Sequence, residues 1–169
     1  MRRTLVLFAT LLLLWAMLSV LNHALAEWRA HVFAGGLFVA YAALHQPRRS
    51  GLAAVMLGGL LCDAHTPVVF GTHLLLLSAA HLTLFHLRER LPREDNLAVT
   101  LVVLFANLAL FLVFTFTQLP GTPAPGAVWP RLLLDLLWSQ VLLTLVTPWF
   151  IALQAGALAL ARVPREDLP

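Results

Sequence analysis

Six apolar runs, at residues 4–26, 31–45, 51–62, 68–87, 97–117 and 132–161, alternate along the chain with short polar or Pro/Gly-rich breaks. A membrane-crossing helix takes roughly 20 consecutive apolar residues, and the first run meets that length. It also carries signal-peptide features, with Arg2 and Arg3 ahead of it and Ala24-Leu25-Ala26 at its end. Its apolar core, residues 5–21, is longer than the roughly 7–15 residues of a secretory signal, so it reads as an uncleaved helix. The second run contains Gly35-Gly36 and would reach only about 23 Å as a helix. It ends at Gln46-Pro47-Arg48-Arg49-Ser50, a break followed by basic charge. The third run is shorter still. It is read as a half-crossing or an inner helix of the bundle, or as a full span with its ends covered by neighbours. The segment 88–96 is the most charged in the chain and must lie outside hydrocarbon. The uncharged loop 118–130 holds Pro120, Gly121, Pro123, Pro125 and Gly126, which predicts no helix there. Pro148 interrupts the last run, which predicts a span ending near Thr147 or a kinked helix that continues along the interface. The tail, residues 162–169, is polar.

Composition turns this pattern into a class. The 169 residues are 60% hydrophobic and 11% charged, against roughly 45–50% and about 25% in a soluble domain. The expectation is an all-α integral membrane protein, residues 1–169, with about six transmembrane helices in one bundle. Cys62 is the single cysteine, so no internal disulfide forms. All eleven basic residues are arginine and the formal charge is +3. With six crossings, Arg2, Arg3, Arg48, Arg49, Arg88, Arg90, Arg93, Arg162 and Arg165 share one side, and Arg29 and Arg131 the other. That split follows the positive-inside rule and predicts an inner-membrane, multi-pass chain with both termini cytoplasmic. It makes the arginines topology signals and not a nucleic-acid surface. Trp28 and Trp129 then fall near outer helix ends, where tryptophan anchors.

Chemistry concentrates in residues 58–73, between the third and fourth runs. An acid at membrane depth is functional or paired, which singles out Asp63. Two readings stand: a structural or recognition acid at the outer membrane edge, or a helix-end group that bonds the backbone amides of the next helix. Gly58 and Gly59 allow a neighbouring helix close approach. Thr66 is expected to cap the fourth helix and Pro67 to sit in its first turn. His65, His73, His81 and His86 do not share a spacing that brings three ligands to one ion, so no metal is expected. Asp135 lies one helical turn after Arg131, predicting an i, i+4 ion pair with a possible binding role. Ser78, Asn107, Ser139, Gln140 and Thr144 are mid-span polar residues of the kind that hold membrane helices together. No nucleotide loop, zinc-protease motif or GxSxG elbow is present, so neither an enzyme nor a cofactor is expected.

The middle of the chain resembles the MreD family of bacterial rod shape-determining membrane proteins. The residues that carry the likeness are Gly59-Leu60-Leu61, Asp63, Gly71 and the leucine run from Leu74 to Leu77. Upstream, Pro47 and a basic pair before a new helix are also similar, as are Trp138 and Pro148 in the last run. Pro67 stands where the family usually has a glycine, and Phe70 where it has leucine. The resemblance implies a turn motif of Gly59, Asp63, Pro67 and Gly71. It also implies a fold similar to the substrate-binding subunits of vitamin transporters. The implied role is a non-enzymatic scaffold of the cell-elongation machinery, working with MreC, the MreB filament, and the RodA and penicillin-binding-protein pair that build peptidoglycan. The alternative is a small-molecule-binding subunit of a vitamin-type transporter, with a cavity lined by Asn107, Gln140 and the histidines.

Overall fold

The computed structural model describes residues 1–91, 95–118 and 125–163. Six α-helices run through them: α1 (Arg2–Leu25), α2 (Gly35–His45), α3 (Arg48–His65), α4 (Thr72–Leu87), α5 (Asn96–Gln118) and α6 (Pro125–Leu160). Short 3-10 turns follow α1 and α4, and there is no strand among the described residues. The all-α bundle expected from the apolar runs is what forms. Among the described residues, three stretches are long and apolar enough to cross a bilayer: Arg2–Trp28, Asn96–Gln118 and Val128–Leu160. The chain is a membrane protein.

The centre of the bundle is its shortest helix. α2 has 11 residues, about 16 Å at 1.5 Å each, and residues 37–44 are all buried. It packs against α3, α4, α5 and α6. A helix apolar all round is a buried helix, and the sequence Leu-Phe-Val-Ala-Tyr-Ala-Ala-Leu is of that kind. The outer helices bury one stripe only. In α1 that stripe is Leu7, Thr10, Leu11 and Leu14, while Leu5, Leu12, Leu13, Met17 and Val20 are exposed. The exposed leucines need a hydrocarbon solvent, which the bilayer supplies.

Glycines set two of the helix contacts. A Cβ on Gly36 would collide with the Val103 carbonyl oxygen and the Asn107 backbone of α5. A Cβ on Gly59 would stand 2.7 Å from Leu74 Cα on α4. Both helix pairs touch backbone to backbone, as small residues permit.

Several boundaries differ from the sequence expectation. The second run does not start as a helix at residue 31, because residues 31–34 are irregular and α2 begins only at Gly35. The third run grows to 18 residues, opening directly after Pro47 and ending past Asp63. α4 starts at Thr72, so neither Thr66 nor Pro67 belongs to it. Residues 125–130, expected as loop, are the first turns of α6. A proline at the first helical position loses no hydrogen bond, and Pro125 occupies that position. α6 then continues through Pro130 and Pro148 to Leu160, rather than stopping near Thr147. Its far half is held by the core: Phe150, Gln154 and Leu158 are buried, and Gln154 Nε2 donates to Thr10 Oγ1 on α1 at 3.1 Å. The loop residues Pro120, Gly121 and Pro123, and Arg93 and Arg165, lie outside the described residues.

Contacts between distant residues define the two ends. At one, Arg88 after α4 reaches the Gln46 carbonyl between α2 and α3. Arg2, Arg48 and Arg49, at the starts of α1 and α3, belong there as well. At the other end, Asp63 meets the start of α4, Phe33 meets Phe114 of α5, and residue 31 meets Asp135 of α6.

Candidate functional site

The turn between α3 and α4 is organised by one carboxylate. Asp63 is 4% exposed. Its Oδ2 accepts the backbone N–H of Gly71 at 3.1 Å and of Leu74 at 3.0 Å. Its Oδ1 accepts the His73 N–H at 2.8 Å and lies 2.9 Å from His73 Nδ1, which donates to it. The first amides of a helix have no partner within it and carry the positive end of the helix dipole. Asp63, from the preceding helix, serves as their cap. Thr66, expected in that role, instead donates its hydroxyl back to Cys62 at 2.9 Å. Thr66 is the residue immediately after α3, in extended backbone, too far from Thr72 to cap it. Gly71 is at φ 97°, a left-handed conformation that suits glycine. Thus Gly59, Asp63 and Gly71 act together, whereas Pro67 is exposed in the connecting turn, outside both helices.

A second set of side chains holds the irregular approach to α2. The N–H of His31 donates to Asp135 Oδ1 at 2.9 Å, and that of Phe33 to Ser139 Oγ at 2.9 Å. Asn22 on α1 clasps Val32 twice, accepting its N–H at 2.8 Å and donating to its carbonyl at 3.0 Å. Asn107 Oδ1 accepts the Gly36 N–H at 3.1 Å. Irregular backbone inside a membrane protein must have its polar groups satisfied by protein. Here α1, α5 and α6 each contribute. Asn107 ties α5 to the first turn of α2, as expected of a mid-span polar residue, whereas Ser139 bonds the segment before α2. Gln140 does tie α6 to α5, through the Leu104 carbonyl at 3.1 Å. Ser139 and Thr144 also donate one turn back along α6, to Asp135 and Gln140.

These two sets are joined by aromatic rings. The His73 ring lies 4.8 Å from Phe114, and Phe114 lies 6.0 Å from Phe33, which in turn meets Phe111 at 5.9 Å. Phe33, Phe111 and Phe114 form the wall of a groove of about 370 Å3 between the approach to α2, α5 and α6. His31, Arg131 and Asp135 border the same groove. Arg131 Nε stands 3.9 Å from Asp135 Oδ2, the i, i+4 pair expected from spacing, and the Arg131 side chain is 61% exposed. The two candidate sites of the sequence, Asp63 and the Arg131–Asp135 pair, therefore belong to one end of the bundle and one continuous set of contacts.

Compared with models of known protein families, with curated proteins and with solved structures, the chain matches none. Its chemistry rests on its own geometry.

The groove among the described residues is a different one from the cavity expected from Asn107, Gln140 and the histidines. The groove is bordered by none of these except His31. His65 and His86 donate to carbonyls one turn back in their own helices. His81 is fully buried beside Phe85, with no hydrogen-bond partner at either ring nitrogen. Among the described residues no three His, Cys, Asp or Glu side chains converge on a metal position. The sequence reading missed the groove phenylalanines, the pairing of His73 with Asp63, and Asn22. Only Asn22 left a signal, as a lone amide near the end of the first apolar run.

Proposed function

We propose that the protein is a non-enzymatic scaffold subunit of a bacterial cell-elongation complex, of the MreD kind. The observation that best supports this reading is how the polar side chains of the bundle are used. Asp63, Asn22, Asn107, Ser139 and Asp135 all hold backbone groups of the chain itself. Such an interior favours a shape that partners read, over a site where substrate is turned over. In this reading the chain crosses the inner membrane six times. Both termini are cytoplasmic, because the arginine-rich end is the inner end under the positive-inside rule. MreC would dock on the outward apolar faces. RodA, the penicillin-binding protein and the MreB filament would be engaged directly or through MreC. This partner set is the one implied by the resemblance at Gly59, Asp63 and Gly71.

The second reading, a small-molecule-binding subunit of a vitamin-type transporter, is favoured by one feature, the groove beside Phe111 and Phe114. Mild-detergent affinity purification from the native host, with mass spectrometry of proteins and small molecules, separates the two. Recovery of a single-span coiled-coil partner with wall synthases supports the scaffold. Recovery of an energy-coupling ATPase or a bound vitamin overturns it.

A further inference from the structure

The groove at the Asp63 end has two chemically distinct parts. Its walls are hydrocarbon: Phe33, Phe111, Phe114 and Leu132. Its polar border is the cluster of His31, Arg131 and Asp135, in which Asp135 Oδ1 is held by the His31 N–H and Oδ2 lies 3.9 Å from Arg131 Nε. The Asp135 side chain is 10% exposed with one oxygen held by backbone, while the Arg131 side chain is 61% exposed. A cation therefore stands at one end of an aromatic-walled slot. On the neighbouring surface of α5 and α6, Val113, Phe116 and Leu133 are exposed hydrophobics, so the slot borders the lipid-facing surface of the bundle.

We propose that this groove is a binding site for an anionic phospholipid, with the phosphate at Arg131 and an acyl chain along Phe33, Phe111 and Phe114. Charge complementarity selects the head: Arg presents a planar fork of donors suited to phosphate. The wall selects the tail. The groove, about 370 Å3 and continuous with the lipid-facing surface, takes part of an acyl chain and leaves the rest along the outer faces of α5 and α6. The lining divides accordingly, with His31, Thr115, Gln118, Arg131 and Asp135 available to a head group and Phe33, Phe111, Phe114, Val128 and Leu132 to an acyl chain. The proposal does not depend on the scaffold reading, because any membrane subunit of this shape would hold the lipid.

The test is native mass spectrometry of the full chain, purified and delipidated in detergent, then titrated with dioleoyl-phosphatidylglycerol. Dioleoylglycerol, which lacks the phosphate, is titrated in parallel, and inorganic phosphate is added as competitor. One tightly retained phosphatidylglycerol is expected. Arg131→Gln and omission of the lipid phosphate should each weaken binding about tenfold, as loss of one charge-assisted bond does. Leu132→Trp, which fills the wall, should abolish retention, and Leu133→Trp, on the exposed face of the same turn, should leave it intact. Circular dichroism checks that each variant keeps its helices. Arg131 is exposed, so its variant decides the matter even where Leu132→Trp unfolds. Equal retention of both lipids, or undiminished retention by Arg131→Gln, overturns the proposal. Displacement of the lipid by millimolar phosphate also overturns it, assigning the site to a free anion.

Discussion

Asp63 and His73 face each other across the α3–α4 turn, Oδ1 2.9 Å from Nδ1, with the same oxygen accepting the His73 backbone N–H at 2.8 Å. One carboxylate thereby fixes both the start of a helix and the position of a ring that touches Phe114. Removing it leaves three amides at a half-buried helix start without a partner. Asp63→Ala should lower stability by about 3 kcal/mol, since each buried donor left unsatisfied costs about 1–3 kcal/mol and water reaches some of them. Asp63→Asn keeps an acceptor oxygen and should lose about half as much. Thermal unfolding in detergent micelles, followed by circular dichroism, gives both values. An Asp63→Ala protein that melts with the wild type would remove the cap from the account.

Pro67 and Gly71 lie in the same turn but should respond differently. Pro67 stands outside both helices, so Pro67→Ala should change stability by no more than about 0.5 kcal/mol. Gly71 is at φ 97°, and Gly71→Ala should cost about 1–2 kcal/mol because a Cβ disfavours left-handed backbone. The same melting experiment compares them. Equal effects would place the constraint elsewhere.

Glycine contacts predict a second contrast. Gly36→Ala and Gly59→Ala each drive a Cβ into the backbone of a neighbouring helix, which should cost about 1–3 kcal/mol. Gly156 has open space around its Cβ position, and Gly156→Ala should be neutral or, as a better helix former, slightly stabilising. Unfolding titrations in mixed micelles rank the three. A neutral Gly36→Ala would mean that α2 and α5 can separate freely.

Asn22 clasps Val32 through both its amide atoms. Asn22→Leu leaves a buried N–H and carbonyl unpaired and should cost about 2 kcal/mol. The readout is hydrogen exchange, because the damage is local to residues 31–34. The Val32 amide should exchange faster, while the amides of α5 stay protected. Unchanged exchange at Val32 would show that the segment is held by Asp135 and Ser139 alone.

What the chain determines by itself is its class and its helices. Sixty per cent apolar content with eleven arginines gathered into the breaks has one stable outcome, a helical bundle in lipid, because backbone polar groups there must bond internally. The i, i+4 pairing of Arg131 with Asp135 was legible for the same reason: helical spacing is local. Tertiary structure decided where the ends fall. Residues 31–34 read as helix by hydropathy, yet Asp135, Asn22 and Ser139, distant in sequence, accept the N–H groups of residues 31–33 and let the segment stay outside the helix. Thr66 had local capping chemistry, yet Asp63 caps α4 from eight to eleven positions away, counted to Gly71 and Leu74. The groove was invisible in the sequence because Phe33, Phe111 and Phe114 resemble any other apolar residue until folding turns three separate rings toward one another. Hydrophobic burial has no direction, so composition is enough to choose the class. Hydrogen bonds and ring contacts are directional, and their partners are chosen only when distant segments meet.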